Sequence, residues 1–91
     1  MSLEELEKAA ALQILVYLTR KDGATRTDLK ENVRAAIETI YSALEVLKRL
    51  GLIEEEASRN FPFPVIVRLT SLGRRVAEHI AEVERLLKAG G

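Results

Sequence analysis

The segment NVRAAIETIYSALEVLKRLGLIEEE, Asn32 to Glu56, decides the fold. Ile40, Leu44 and Leu47 recur at helical spacing, so a helix from about Ala36 to Leu50 turns these three inward and leaves Glu38, Ser42, Glu45 and Arg49 outward. Gly51 stands where a helix commonly ends in a left-handed residue. Beyond it the period changes. Leu52 to Ala57 and Val65 to Leu69 are short runs, the second β-branched, and the turn-rich SRNFPFP lies between them. The segment therefore reads as a helix running into a β-hairpin with a long tip.

Upstream, the helical period holds from Leu3 to Thr19, with Leu12, Leu15, Val16 and Thr19 on one face, until Lys21-Asp22-Gly23 stops it. Ala24 reads as a single β-bridge residue. Thr25-Arg26-Thr27-Asp28 forms a capping box for a second helix ending near Val33, whose buried edge is Leu29 and Val33. A turn through Arg34 and Ala35 leads to the third helix. Downstream, Thr70 or Ser71 caps a last helix from Leu72 to Lys88, and Gly90-Gly91 forms a frayed tail.

The chain has 91 residues, 47% of them hydrophobic, which suffices for one small core and so predicts a single domain over 1–91. No apolar run approaches the length needed to cross a bilayer and no leader pattern stands at the start, so a soluble, cytoplasmic protein without a membrane partner is expected. With no cysteine and one histidine, His79, flanked by Glu78 and Glu82, thiolate zinc sites and cysteine nucleophiles are excluded. The glycines form no phosphate-binding loop. The reading is accordingly of a non-enzyme with no cofactor and no metal. Basic and acidic residues balance at 14 each, so any affinity for nucleic acid must come from a local patch.

The run TRTDLKENVRAAIETIYSALEVLKRLGLIEEE, followed by VRLTSLGRRVAEHI, resembles the MarR-like winged helix-turn-helix transcriptional regulators from Ala24 to about Ile80. Leu29 and Val33 match the apolar anchors of that family's second helix. Ile40, Leu44 and Leu47 match the core positions of its recognition helix, and Gly51-Leu52-Ile53 the turn into its wing. Leu69-Thr70 with Gly73 resembles its LTxxG opening of the last helix. The resemblance implies a mainly α fold with a small β-hairpin wing and double-stranded DNA as partner. The third helix would lie in the major groove, with the second helix and wing on the backbone.

Carried onto this chain, the resemblance puts Glu38, Thr39, Tyr41 and Ser42 near bases. Arg26, Thr27, Lys30, Arg34, Arg59 and Asn60 fall on or beside phosphates. The sequence departs from the family pattern at Ala36, where a capping Ser is common, at Ile37, where a basic residue is frequent, and at Ser42, where an Arg often reaches a base. Two carboxylates face the groove. A glutamate accepts a hydrogen bond from cytosine N4, yet phosphates repel it. The basic residues have two readings, phosphate contacts or solvated helix charge, and the Glu54-Glu55-Glu56 strand is acidic where a DNA-facing wing is usually basic. The rings of Phe61 and Phe63 have two readings, packing onto the domain's own body, which is the one expected, or insertion into a groove or a partner.

The first helix (about 3–19) and the last (about 71–88) carry more apolar surface than one core needs. Leu3, Leu6, Ala10 and Tyr17 on the first, and Val76, Ile80, Val83 and Leu87 on the last, predict a two-fold homodimer interface. An alternative function remains open at this stage, a winged-helix module that binds protein rather than DNA. It draws on the apolar flanks of the third helix, Ile37 and Tyr41 on one side and Val46 and Leu50 on the other.

Overall fold

The computed structural model describes residues 3–62 and 64–90. In chain order it contains α1 (Leu3–Leu6), α2 (Ala11–Arg20), β1 (Ala24–Thr25), α3 (Arg26–Asn32), α4 (Ile37–Arg49), β2 (Ile53–Ala57), β3 (Val65–Leu69) and α5 (Ser71–Gly90). The strands form one antiparallel sheet in the order β1-β3-β2. The fold is mainly helical with a small hairpin wing, and the bridge expected at Ala24 is a two-residue strand that pairs Ala24 with Val67 and Thr25 with Ile66.

Local chemistry sets most element ends. Thr25 Oγ1 accepts from the Asp28 N–H at 3.0 Å while an Asp28 carboxylate oxygen accepts from the Thr25 N–H at 2.9 Å, so each side chain satisfies an N–H that the first turn of α3 leaves open. At the end of α4, Gly51 adopts φ 75°, the Gly51 N–H donates to the Lys48 carbonyl at 3.0 Å and the Leu52 N–H to the Leu47 carbonyl at 2.9 Å. That pair of bonds is the Schellman closure, and it turns the chain directly into β2.

One buried cluster unites the elements. Ile14, Leu15 and Leu18 of α2 meet Leu29 of α3, Ile40, Leu44 and Leu47 of α4, Leu52, Val67 of β3 and Ala77 of α5. The inward turn of Ile40, Leu44 and Leu47 is as the spacing requires, and burying such side chains contributes roughly 1.5–3 kcal/mol each.

The first helix departs from expectation. It is broken between Leu6 and Ala11, where Ala10 takes the left-handed conformation at φ 73° and stops the right-handed turn. Continued back from Ala11, a straight helix would carry the chain along the α2 axis at about 1.5 Å per residue. The bend instead returns it to α4. Leu6 and Ala10 then pack against the core, and Glu5 pairs with Arg49 at 3.6 Å. Facing changes as well: Ala11, Ile14, Leu15 and Leu18 form the buried side of α2, whereas Leu12 is 43% exposed. The last helix is longer than expected and includes Gly90; Gly91 lies outside the described residues.

The opening of α5 is fixed by contact with backbone. Thr70 Oγ1 donates to the Gly51 carbonyl at 2.6 Å and accepts from the Gly73 N–H at 2.9 Å, and the Thr70 N–H donates to the Leu52 carbonyl at 3.0 Å. A Cβ at Gly73 would lie 1.7 Å from the Leu52 carbonyl oxygen, whereas one at Gly51 would meet nothing within 4 Å. The two glycines are thus required for different reasons, closeness at one and a positive φ at the other. Gly73→Ala should cost about 3 kcal/mol or more and lower Tm by more than about 12 °C; Gly51→Ala should cost about 1 kcal/mol and about 5 °C. Thermal melts followed by circular dichroism measure both, and equal losses would contradict the assignment.

Candidate nucleic-acid interface

The exposed side of α4 carries Glu38, Tyr41, Glu45 and Arg49, with Ser42 partly covered. It follows from the inward turn of the three aliphatic residues. Ala36 caps α4 without a side-chain hydrogen bond, and Glu38 in the first turn places negative charge at the positive end of the helix dipole. That is a structural role for one of the two outward-facing carboxylates of α4.

Two shallow clefts flank this face. On one side Lys8 and Ala9, at the bend between α1 and α2, line a cleft with Glu38, Thr39 and Ser42. On the other side Arg26, Tyr41, Ser42, Leu44 and Glu45 line a second. Glu38, Thr39, Tyr41, Ser42 and Arg26 are therefore brought to one region. Arg59 and Asn60 are exposed at the wing tip, and Thr27, Lys30 and Arg34 are exposed on α3 and the turn after it. The Arg34 N–H donates to Gln13 Oε1 at 3.2 Å, which ties that turn to α2.

A largely covered carboxylate organises the second flank. Along β2, alternation puts Glu55 on the same side as buried Ile53, and its side chain is only 9% exposed. It accepts from Arg26 Nε at 3.2 Å and Nη2 at 2.9 Å, and its other oxygen lies 2.9 Å from Lys48 Nζ. The Arg26 guanidinium also sits 5.1 Å from the centre of the Tyr41 ring, a cation–π distance. Burial pushes the Glu55 carboxyl up, but the hydrogen bonds from Lys48 and Arg26 outweigh it and hold the group below its ordinary value. The same bonds raise Arg26 and Lys48. One wing residue thus fixes α3, α4 and β2 to one another.

This changes the charge reading of the wing. Glu55 is neutralised inside the fold and Glu56 pairs with Arg68 at 3.2 Å, which leaves Glu54 as the strand glutamate without an ion pair among the described residues. Glu45 lies 3.7 Å from Lys48. Conversely, Arg26 is engaged internally rather than free, while Lys30, Arg34 and Arg59 have no ion-pair partner among the described residues. The sequence signal for the Glu55 site was the period-two alternation after Ile53, which puts a glutamate on an inward face.

Other expectations are corrected. Val46 and Leu50, read as an exposed apolar flank, are buried because α4 packs against neighbours across a wider arc than one stripe. Phe61 is 85% exposed, so its ring is not buried in the body as expected, and the Ser58 N–H donates to the Pro64 carbonyl at 2.8 Å where the hairpin's tip begins. Phe63 lies outside the described residues.

The residues expected to join two copies divide. Val83 and Leu87 are exposed on α5, while Leu6, Ala10, Tyr17, Val76 and Ile80 are half-buried at the edge of the chain's own core; the Leu3 side chain lies outside the described residues. Between α2 and α5 an open groove of about 430 Å³ is lined by Leu12, Val16, Ile80, Val83 and Leu87, with Gln13, Glu84 and Lys88 also on its walls.

A short helix, a turn, a helix with one exposed face and a hairpin against its end, followed by a helix that closes the core, constitute a winged helix-turn-helix. Its form is MarR-like. The structure is similar to that of ytfH from Salmonella typhimurium, with a TM-score of 0.82, 22% identity, and coverage of 96% of this chain and 78% of that one. It is also similar to a MarR-family transcriptional regulator from Silicibacter pomeroyi, at TM-score 0.72 and 26% identity, over 86% of this chain and 53% of that one. In sequence the chain is 30% identical over 77 residues to the phenylalanine–tRNA ligase alpha subunit of Sulfurisphaera tokodaii; this covers 85% of the chain but only 16% of that protein's length. No family model matches the sequence. Among the described residues no helix is long and apolar enough to cross a membrane.

The ion pairs make a pH prediction. A backbone hydrogen bond from Thr25 and one from the Lys21 side chain hold Asp28 below its ordinary 3.8, as Glu55 is held below 4.5. Depressed carboxyls contribute stability that is complete above their ordinary values and lost as pH falls through the lowered ones. Tm should be flat from pH 7 to about 5 and fall below about 4. Glu55→Gln should cost about 1–2 kcal/mol at neutral pH, since Arg26 and Lys48 can partly resolvate, and should flatten the acid limb. An unchanged acid limb would contradict the role given to Glu55.

Proposed function

We propose that this chain is a small, dimeric winged-helix regulator that binds double-stranded DNA, with α4 in the major groove and α3, the following turn and the wing on phosphates. The observation that carries the reading is the exposed face of α4, whose flanking clefts bring Glu38, Thr39, Tyr41, Ser42 and Arg26 to one region, with Lys30 and Arg34 exposed and without an ion pair among the described residues. Engagement of Glu55 by Arg26 and Lys48, and the surface pair of Glu56 with Arg68, lessen the electrostatic objection to a wing beside DNA. Likeness to a MarR-family transcriptional regulator supports the same assignment. Burial of Val46 and Leu50 takes away half of the apolar flank that had favoured a protein partner at α4.

Under this proposal a second copy covers the groove between α2 and α5, where Val83 is 55% and Leu87 71% exposed. Two copies would present two α4 helices to half-sites about one helical turn apart and double the phosphate contacts of a chain with no net charge. A double Val83→Glu, Leu87→Glu variant should be a monomer by light scattering at micromolar concentration while the wild type is a dimer. A monomeric wild type would remove this part of the proposal.

One observation favours a second reading, in which the duplex is RNA: the sequence relative is a subunit of a tRNA ligase, and this chain matches a module-sized part of it. Fluorescence anisotropy with labelled duplex DNA and with tRNA across a salt series separates the two. For the DNA reading, log affinity for duplex DNA should fall linearly with log salt and exceed that for tRNA. A double Arg34→Ala, Arg59→Ala variant should lower the slope by about 2 per bound copy. Tighter binding to tRNA than to any duplex DNA would reverse the order of the readings.

A further inference from the structure

We infer that Lys8, at the bend between α1 and α2, is a phosphate contact on the flank of α4 opposite the wing. The inference rests on the DNA reading above and extends its interface to a part of the chain that the sequence pattern assigned elsewhere.

Three observations converge on it. First, a helix with its side chains is about 10–12 Å across and the major groove about 12 Å wide, so a helix seated there has a sugar–phosphate strand along each side. On the wing side of α4 stand Arg26 and Lys48, both held by Glu55. On the opposite side Arg49 is paired with Glu5. The cation that shares a cleft with Glu38, Thr39 and Ser42 on that side is Lys8, which is exposed and has no ion-pair partner among the described residues.

Second, Lys8 is there because of a strained backbone. Left-handed alanine costs roughly 1–2 kcal/mol and persists only where the surroundings hold it. At Ala10 these are the packing of Leu6 and Ala10 on the core and the Glu5–Arg49 pair. A helix straight through Ala10, as the sequence period suggests, would take Lys8 away from α4. Third, the exposed ridge of α4 carries Glu38 and Glu45, and a cation beside Glu38 reduces the repulsion that this carboxylate exerts on an approaching phosphate.

The test is a salt series by anisotropy on a mixed-sequence duplex with the full chain, its Lys8→Gln and Lys8→Arg variants, and Arg85→Gln on the outer half of α5 as a control. Lys8→Gln should weaken binding several-fold for all duplexes alike and lower the salt slope by about 0.9 per bound copy, with Lys8→Arg close to wild type and Arg85→Gln unchanged. Lys8 takes part in no ion pair among the described residues, so Lys8→Gln should melt with the wild type, and the Arg variant reports on charge even if the Gln variant proves unstable. A Lys8→Gln variant with wild-type affinity and slope overturns the inference and leaves the DNA reading intact. So does an effect confined to particular base sequences, which would mark a base contact. Absence of duplex binding by the wild type overturns both.

Discussion

The architecture depends on the approach of α5 to the peptide of Leu52. That peptide accepts the Thr70 N–H, and the same place excludes any side chain at Gly73. Because Gly51 and Leu52 also close α4, one small junction sets where the recognition-type helix ends, where the wing begins and where the last helix leaves. Burial of aliphatic side chains supplies most of the driving force, but it has no direction. The backbone contacts at this junction supply the direction.

Charge within the fold follows a similar economy. Glu55 draws Arg26 and Lys48 together from two helices, and Arg26 in turn covers Tyr41. An acidic residue at the base of the wing therefore acts as an internal brace. What solvent meets is different from what the residue counts suggest: exposed cations without an ion pair among the described residues on α3, the turn and the wing tip, and a ridge with two carboxylates on α4.

Features set by neighbours in the chain were legible in the sequence. The Thr25–Asp28 box, the positive φ at Gly51, the facing of Ile40, Leu44 and Leu47, and the Thr70 cap all follow from interactions within a few residues. The break at Ala10 was not legible, because no proline or glycine marks it and its cause is tertiary, the return of α1 to α4. Nor was the Arg26–Glu55 pair, which joins residues far apart in the chain; only the alternation after Ile53 pointed to it. Leu12 was misplaced because on a short helix a rotation of one position separates the core stripe from the groove stripe. Among the candidate site residues, Arg26 and Tyr41 have internal partners that spacing alone did not reveal, whereas Lys30, Arg34 and Arg59 stand where an outward reading places them.

The place of β2 in the sheet has a further consequence. It pairs only with β3 and so forms one margin of the sheet, with its other row of peptide groups unmatched by any described strand. Such a margin invites strand addition by a neighbouring molecule and, in time, fibrous association. Glu54 and Glu56 stand along it at every second position, so a like strand laid against it would bring carboxylates close to carboxylates. Repulsion at Glu54, which has no ion pair among the described residues, would oppose the zipping together of crowded copies through their wings.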